Sequence, residues 1–404
     1  RVQNWWNEQC KLVYAAVPDL AGFLVKADSE HRPGPFTYGR NHAEGANMLA
    51  RALKPHGGKL IWRCFVYNCQ QDWRDQKTDR PMAAYEHYVY LDGQFEDNVI
   101  LQIKNGPFDF QVREPLSPML LAMPKTSLAI EWQLAQEYTG HQIDIFAMMG
   151  MWQEVMADLG SDTIMAMAAV SNWGDDACVY GHPFAAVNMF GYGMLCWDPD
   201  NADPETIART WAKLTYSFNE ADEDTLVNIL LESRGAYEKY TAPLGICWMV
   251  TPHVHYGASP DGYEYQAWGT YHRANRDAVG IDRTKNGTGY AEQYPAELRD
   301  RYSNLETCPD NLLLWFHRLR YDYVMRDGRT LIQRIYDDHF EGYDWVVAAE
   351  EKLAAIPFPE MDKALIMERM SRQKKNAHEW CDIVNSFFYR FSGVEDAKGR
   401  PLYL

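Results

Sequence analysis

Five short apolar runs, each breaking into polar residues at its carboxyl end, constrain this chain most. They lie at 22–27, 60–67, 99–104, 128–134 and 164–170. Runs rich in Val, Ile and Leu predict strands covered on both faces, as in a parallel sheet. Helical patterns fall between them, as at 43–54 and 183–195, which gives a β/α alternation. The segment VILQIKNGPFD (99–109) passes within a few positions from core residues to a lysine, a Gly-Pro break and an acid. Core strands end this way where their carboxyl ends build a site. A barrel gathers all such ends at one mouth, and the chain has no Gly-rich dinucleotide fingerprint to favour a doubly wound sheet. The expected fold class is α/β: the C-terminal part of a (β/α)8 TIM barrel, followed by a mainly α-helical domain. The chain opens at Arg1, inside an amphipathic helix spanning 5–14, so the first barrel strands are expected to precede it.

Beyond about residue 220 the pattern changes to long helices, expected at 222–240, 311–323, 330–355 and 361–391. The expected division is a partial catalytic barrel over 1–220 and a helical domain over 221–404. An irregular stretch at 241–309, rich in Gly, Tyr and His, separates the early helices from the late ones. Loops of that length are commonly functional, and the aromatics argue against disorder.

A formal net charge of -17 argues against nucleic acid, whose phosphates need clustered Lys and Arg. An anionic small molecule still fits if a few cations converge locally, because net charge governs steering rather than one pocket. No run is long enough to cross a bilayer as a helix, so membrane insertion is not expected. The eight cysteines form no CxxC pair and read as buried free thiols of a reducing compartment. The expected location is cytoplasmic, with the periplasm as the alternative. The 14 Trp and 25 Tyr suit either carbohydrate stacking or a large core.

Acids at strand ends carry the functional expectation. Glu30 follows the first strand, Asp109 the third and Glu137 the fourth. Glycoside hydrolysis needs two such groups, an acid that protonates the leaving oxygen and a carboxylate that activates water or attacks. Lys26, Arg63 and Lys104 lie beside these acids. A charge inside a core strand, such as Arg63, is expensive unless paired. Two readings stand: an ion pair with a barrel acid, or a clamp for a substrate carboxylate. His253 and His255 have no partner at metal-ligand spacing, so no metal and no cofactor are expected. Trp268 is a sugar platform or a core residue. Trp73 and Arg74, in a polar loop at 70–80, are a candidate contact site between copies, since Trp and Arg anchor interfaces.

With these residues the chain resembles bacterial α-glucuronidases of glycoside hydrolase family 67. The segments that carry the resemblance include GFLVKADSE (22–30), WRCFVYNCQQDWRD (62–75), DNVILQIKNGPFDFQVREP (97–115), QEYTG (136–140), VSNWGDD (170–176), DGYEYQAWGTYH (261–272) and HFEGYDW (339–345). The resemblance implies a chain that lacks the family's N-terminal domain and first barrel strands. It implies metal-independent, inverting release of α-1,2-linked glucuronic acid, or its 4-O-methyl ether, from the terminal xylose of glucuronoxylan-derived aldouronic oligosaccharides. By match to the family's motifs Glu30 is the general acid, Asp109 and Glu137 the carboxylates that activate water, and Lys26, Arg63 and Lys104 the contacts to the uronate. A homodimer through the helical domain is expected. The alternatives are a glycosidase of other specificity and a carbohydrate-binding fragment without catalysis.

Overall fold

The computed structural model describes residues 1–29, 32–65, 79–174, 176, 178–263 and 270–403. Five parallel strands form one curled sheet: β1 (Gly22–Lys26), β2 (Lys59–Arg63), β3 (Val99–Lys104), β4 (Leu128–Gln133) and β5 (Ala166–Val170). They stand side by side in chain order. Sequential parallel order with helical crossovers is how half a barrel is wound, whereas a doubly wound sheet reverses its order. The expected runs correspond to these strands, two of them trimmed by more than one residue. The second ends at Arg63, short of residue 67, and the fifth begins at Ala166.

The helices are α1 (Val2–Ala16), α2 (His42–Leu53), α3 (Ala83–Tyr88), α4 (Met119–Ala122), α5 (Met149–Leu159), α6 (Ala186–Trp197), α7 (Pro204–Thr215), α8 (Glu220–Thr241), α9 (Ala296–Ser303), α10 (Leu313–Phe316), α11 (Leu331–Ala355) and α12 (Glu360–Ser392). Local chemistry sets several starts. Asn41 and Glu44 bond each other's backbone N–H groups in a capping box at α2, and Asn219 accepts from Asp222 N at α8. Gly393, at φ 67°, closes α12 in the left-handed conformation that glycine adopts most easily.

The period of two along β2 sorts its side chains between the two faces. Trp62 turns outward, where its indole N–H lies 3.1 Å from Tyr88 Oη and 3.3 Å from His42 Nδ1 of α2. Arg63, the next residue, therefore takes the concave face. Helices α8, α11 and α12 pack on one another, and apolar contacts run without a break from Cys10 to Phe388.

One expectation needs correction. The helix expected over 311–323 is only α10. At His317 the backbone turns extended (φ −126°, ψ 145°), and Leu319–Arg320 pairs antiparallel with Ala278–Val279. The close approach is made possible by Gly280, where a Cβ would fall 2.2 Å from His317 O. Apolar spacing could not reveal this, because the competing partner lies about forty residues upstream. No helix among the described residues is long and apolar enough to cross a membrane.

Candidate active site

Parallel pairing brings the polar strand ends level. Lys26 of β1 is in register with Arg63 of β2, Arg63 with Gln102 of β3, and Lys104 of β3 with Glu131 of β4. Arg63 grips the buried Glu131 through two bonds, Nε to Oε2 at 2.8 Å and Nη2 to Oε1 at 2.5 Å. Gln102 adds a third bond to Oε2 at 2.5 Å. Of the two readings of Arg63, the ion pair with a sheet acid is therefore present.

Asp109 lies past β3, 3 % exposed, and is ion-paired with Lys104. Arg80 Nη2 stands 3.7 Å from its other oxygen. The Lys104 ammonium also sits 3.6 Å from the centre of the Phe65 ring, and the Arg80 guanidinium lies 4.9 Å from that of Trp248. The loop that carries Asp109 is tied by Glu114, whose carboxyl accepts from the backbone N–H of Phe108 (2.6 Å), Asp109 (3.1 Å) and Gln111. Burial pushes the Glu114 carboxyl up to about 7, against the pull of those three bonds. Gly106 is required beneath it, since a Cβ there would fall 2.3 Å from Glu114 Oε2.

Glu137, past β4, is half-buried. Its Oε1 lies 2.9 Å from His255 Nδ1, and its Oε2 accepts from Gln133 Nε2 at 3.2 Å. It lines a cleft of about 580 Å³ with Gln133, His141, Trp173, His253 and His255. Residues next to the two acids meet on one indole: Trp248 packs edge-on against Phe108 at 4.8 Å and against Tyr138 at 5.3 Å. The irregular stretch thus reaches the strand ends, through Trp248, His255 and Tyr271.

Backbone strain gathers at the same end. Non-glycine residues with left-handed φ include Asp28 (52°), Phe110 (57°), Gln136 (55°), His141 (56°), Gln142 (56°), His253 (64°) and His255 (59°). Each such residue costs on the order of 1–3 kcal/mol, and such outliers concentrate at functional sites.

Of the expected site residues, the structure pairs Lys104 with Asp109, sets Lys26 beside Arg63 and opens Glu137 to a cleft. Glu30, Trp268, Trp73 and Arg74 lie outside the described residues. Among the described residues no group of three or more His, Cys, Asp or Glu side chains is placed to hold a metal. Arg80, Gln102, Glu114, Glu131 and Gln133 were not anticipated. For Glu131 the signal was present. An acid within LAIEWQ (128–133) raises the same question as Arg63 does, and each answers the other.

Comparison with known proteins gives a consistent result. The model for the glycosyl hydrolase family 67 middle domain matches residues 1–177, and that for the family 67 C-terminus matches residues 180–401. Alpha-glucuronidase A of Emericella nidulans is 41 % identical over 99 % of this chain and 50 % of its own length. Alpha-glucuronidase A of Aspergillus tubingensis is 40 % identical over 98 % of this chain and 50 % of its own. The chain thus spans about half the length of the curated relatives it matches. A solved GH138 enzyme targeting pectin rhamnogalacturonan II aligns with 97 % of this chain and 43 % of its own, at 12 % identity and a TM-score of 0.49.

Proposed function

The chain belongs to glycosyl hydrolase family 67, and from that premise we propose that it carries the catalytic centre of an α-glucuronidase. The substrate in this reading is an aldouronic oligosaccharide from glucuronoxylan, with α-1,2-linked glucuronic acid or its 4-O-methyl ether on the terminal xylose. The five strands are part of a (β/α)8 barrel followed by a helical domain. Leu24 (57 % exposed) and Val170 (39 %), on the two outer strands, are apolar residues of the kind that further strands would cover.

The reaction is a single displacement that inverts the anomeric carbon. Water gives a proton to a carboxylate as its oxygen bonds to that carbon. The glycosidic C–O bond breaks, and the xylose oxygen takes a proton from Glu30. Asp109 and Glu137 are the carboxylates offered to the water. Lys26, Arg63 and Lys104, with Arg80 added, receive the substrate's carboxylate. Asp109 and Glu131 offset part of that positive charge and hold three of the cations, Lys104, Arg80 and Arg63, in place. No step is assigned to a metal.

The observation that carries this reading is Glu137: a carboxylate open to a cleft, with both oxygens held by neighbours, at the end of a strand whose neighbour delivers Asp109. The protein is further proposed to be a cytoplasmic homodimer joined through the helical domain.

The test is to incubate the intact protein with an aldouronic trisaccharide and follow the products by proton NMR. Free glucuronic acid appearing first as the β anomer is expected, with activity kept after dialysis against a chelator. Release of the α anomer first would overturn inversion. Release of xylose with no uronic acid would overturn the substrate.

A further inference from the structure

We infer that His255 is a positioning residue for Glu137, with Nδ1–H donating to Oε1 so that the carboxylate meets the attacking water in one orientation. The inference rests on the reading of Glu137 as a carboxylate that activates water. An ionised carboxylate only accepts, so the ring nitrogen 2.9 Å away must donate. Gln133 holds the other oxygen, and the two donors together fix the carboxylate plane.

His255 is itself held with unusual thoroughness. It sits on left-handed backbone in a turn closed by His255 N to Thr251 O (2.8 Å) and Thr251 N to Gly257 O (2.9 Å). The Tyr138 ring lies against its imidazole, centroids 4.4 Å apart. Its neighbour Tyr256 donates to the buried Asp144 at 2.8 Å, which also accepts from Asn376 of α12 at 2.9 Å and Tyr240 of α8 at 3.3 Å. A path of hydrogen bonds and one peptide link therefore runs from the long helices to Glu137. The imidazole completes that path and also forms part of the wall that meets a ligand. Backbone held against its own preference for the sake of one side chain is the arrangement expected of a preorganised site.

The experiment uses the intact protein and an aldouronic trisaccharide. His255→Phe removes the donor and keeps the ring. His255→Asn keeps a donor near the Nδ1 position, and His255→Gln moves it outward. The expected result is that kcat falls about tenfold to a hundredfold in the Phe and Gln variants, the loss typical of a group displaced by about 1 Å. KM should stay within about twofold, and the Asn variant should recover most of the rate. A structural role alone would lower the amount of folded protein, read by circular dichroism and active-site titration, and leave kcat per folded molecule unchanged. That outcome overturns the inference, as does failure of the Asn variant to exceed the Gln variant. Glu137→Gln separates the two levels. If it leaves turnover intact, the reading of Glu137 falls and the inference falls with it. If it abolishes turnover while His255→Phe does not lower it, only the inference falls.

Discussion

Arg63 and Glu131, sixty-eight residues apart in the chain, meet through two hydrogen bonds on the concave face, and Gln102 takes up a further lone pair of the acid. Glu131 is 1 % exposed, so the pair exists in a place where neither charge could stand alone. Removing either partner breaks an ion pair whose acid lies out of reach of water. Glu131→Ala is therefore expected to destabilise the protein by about 3–5 kcal/mol. Denaturant titration of the intact protein checks this. A loss below about 1 kcal/mol would mean that water reaches Arg63 freely.

The two candidate base carboxylates differ in surroundings, and the difference is measurable. Asp109 is buried between Lys104 and Arg80, whereas Glu137 has neutral or weakly basic neighbours and an open cleft. Glu137 is the one of the two that lines a cleft with room for a water. Glu137→Gln should therefore lower kcat by about 10²–10⁴-fold, the range for loss of a general base. Asp109→Asn should also lower kcat and should raise KM as well, because it releases Lys104 and Arg80. Equal kcat losses with unchanged KM in both variants would contradict the division of labour.

Buried acids make stability depend on pH. Burial raises the Glu114 carboxyl from an ordinary 4.5 to about 7, and that of Asp144 from 3.8 to about 6. The folded state then holds protons that the unfolded chain releases. Their contribution is full below the unfolded values and is lost as pH rises through 6 and 7. The melting temperature should fall between pH 4 and pH 8 from these groups. Glu114→Gln, which removes one titration, should flatten that slope by on the order of 3 kcal/mol across the interval. An unchanged slope in the variant would exclude Glu114 as a source.

Arg283 makes the analogous case behind the Asp109 loop, where its partner Asp79 precedes Arg80 and Trp315 packs against Phe108. Its guanidinium bonds both Asp79 oxygens, at 2.5 and 3.0 Å, and Trp315 O, and lies 4.1 Å over the Trp315 ring. Asp79→Ala should cost about 3–5 kcal/mol, whereas replacing both partners together (Asp79→Leu with Arg283→Met) should cost less than the two single changes summed. Melting of the four proteins completes the cycle, and strict additivity would refute direct coupling.

The sheet could be read from sequence because its cause is local. A largely apolar run such as VILQI (99–103), interrupted by Gln102 alone, has few alternatives to a covered strand, and the capping residues Asn41 and Asn219 mark helix starts within a residue or two. The polar ends were legible for the same reason. Which groups those ends touch was not. Lys104 meets Asp109 five positions later, a contact within reach of inspection, but Glu114 ties that loop around a left-handed Phe110 that no side chain announces. His255 reaches Glu137 from 118 positions away, out of a stretch whose composition suggested function but whose path the pattern could not supply. The break at His317 is of the same kind: a distant strand outcompeted local helical preference.

Gln136, His141, Gln142, His253 and His255 occupy backbone shapes that glycine would take up without steric penalty. A glycine at His253 would relieve on the order of 1 kcal/mol of that strain. That larger residues stand there sets durability against contour. The rim of this cleft is the part of the molecule where heat resistance has been exchanged for shape.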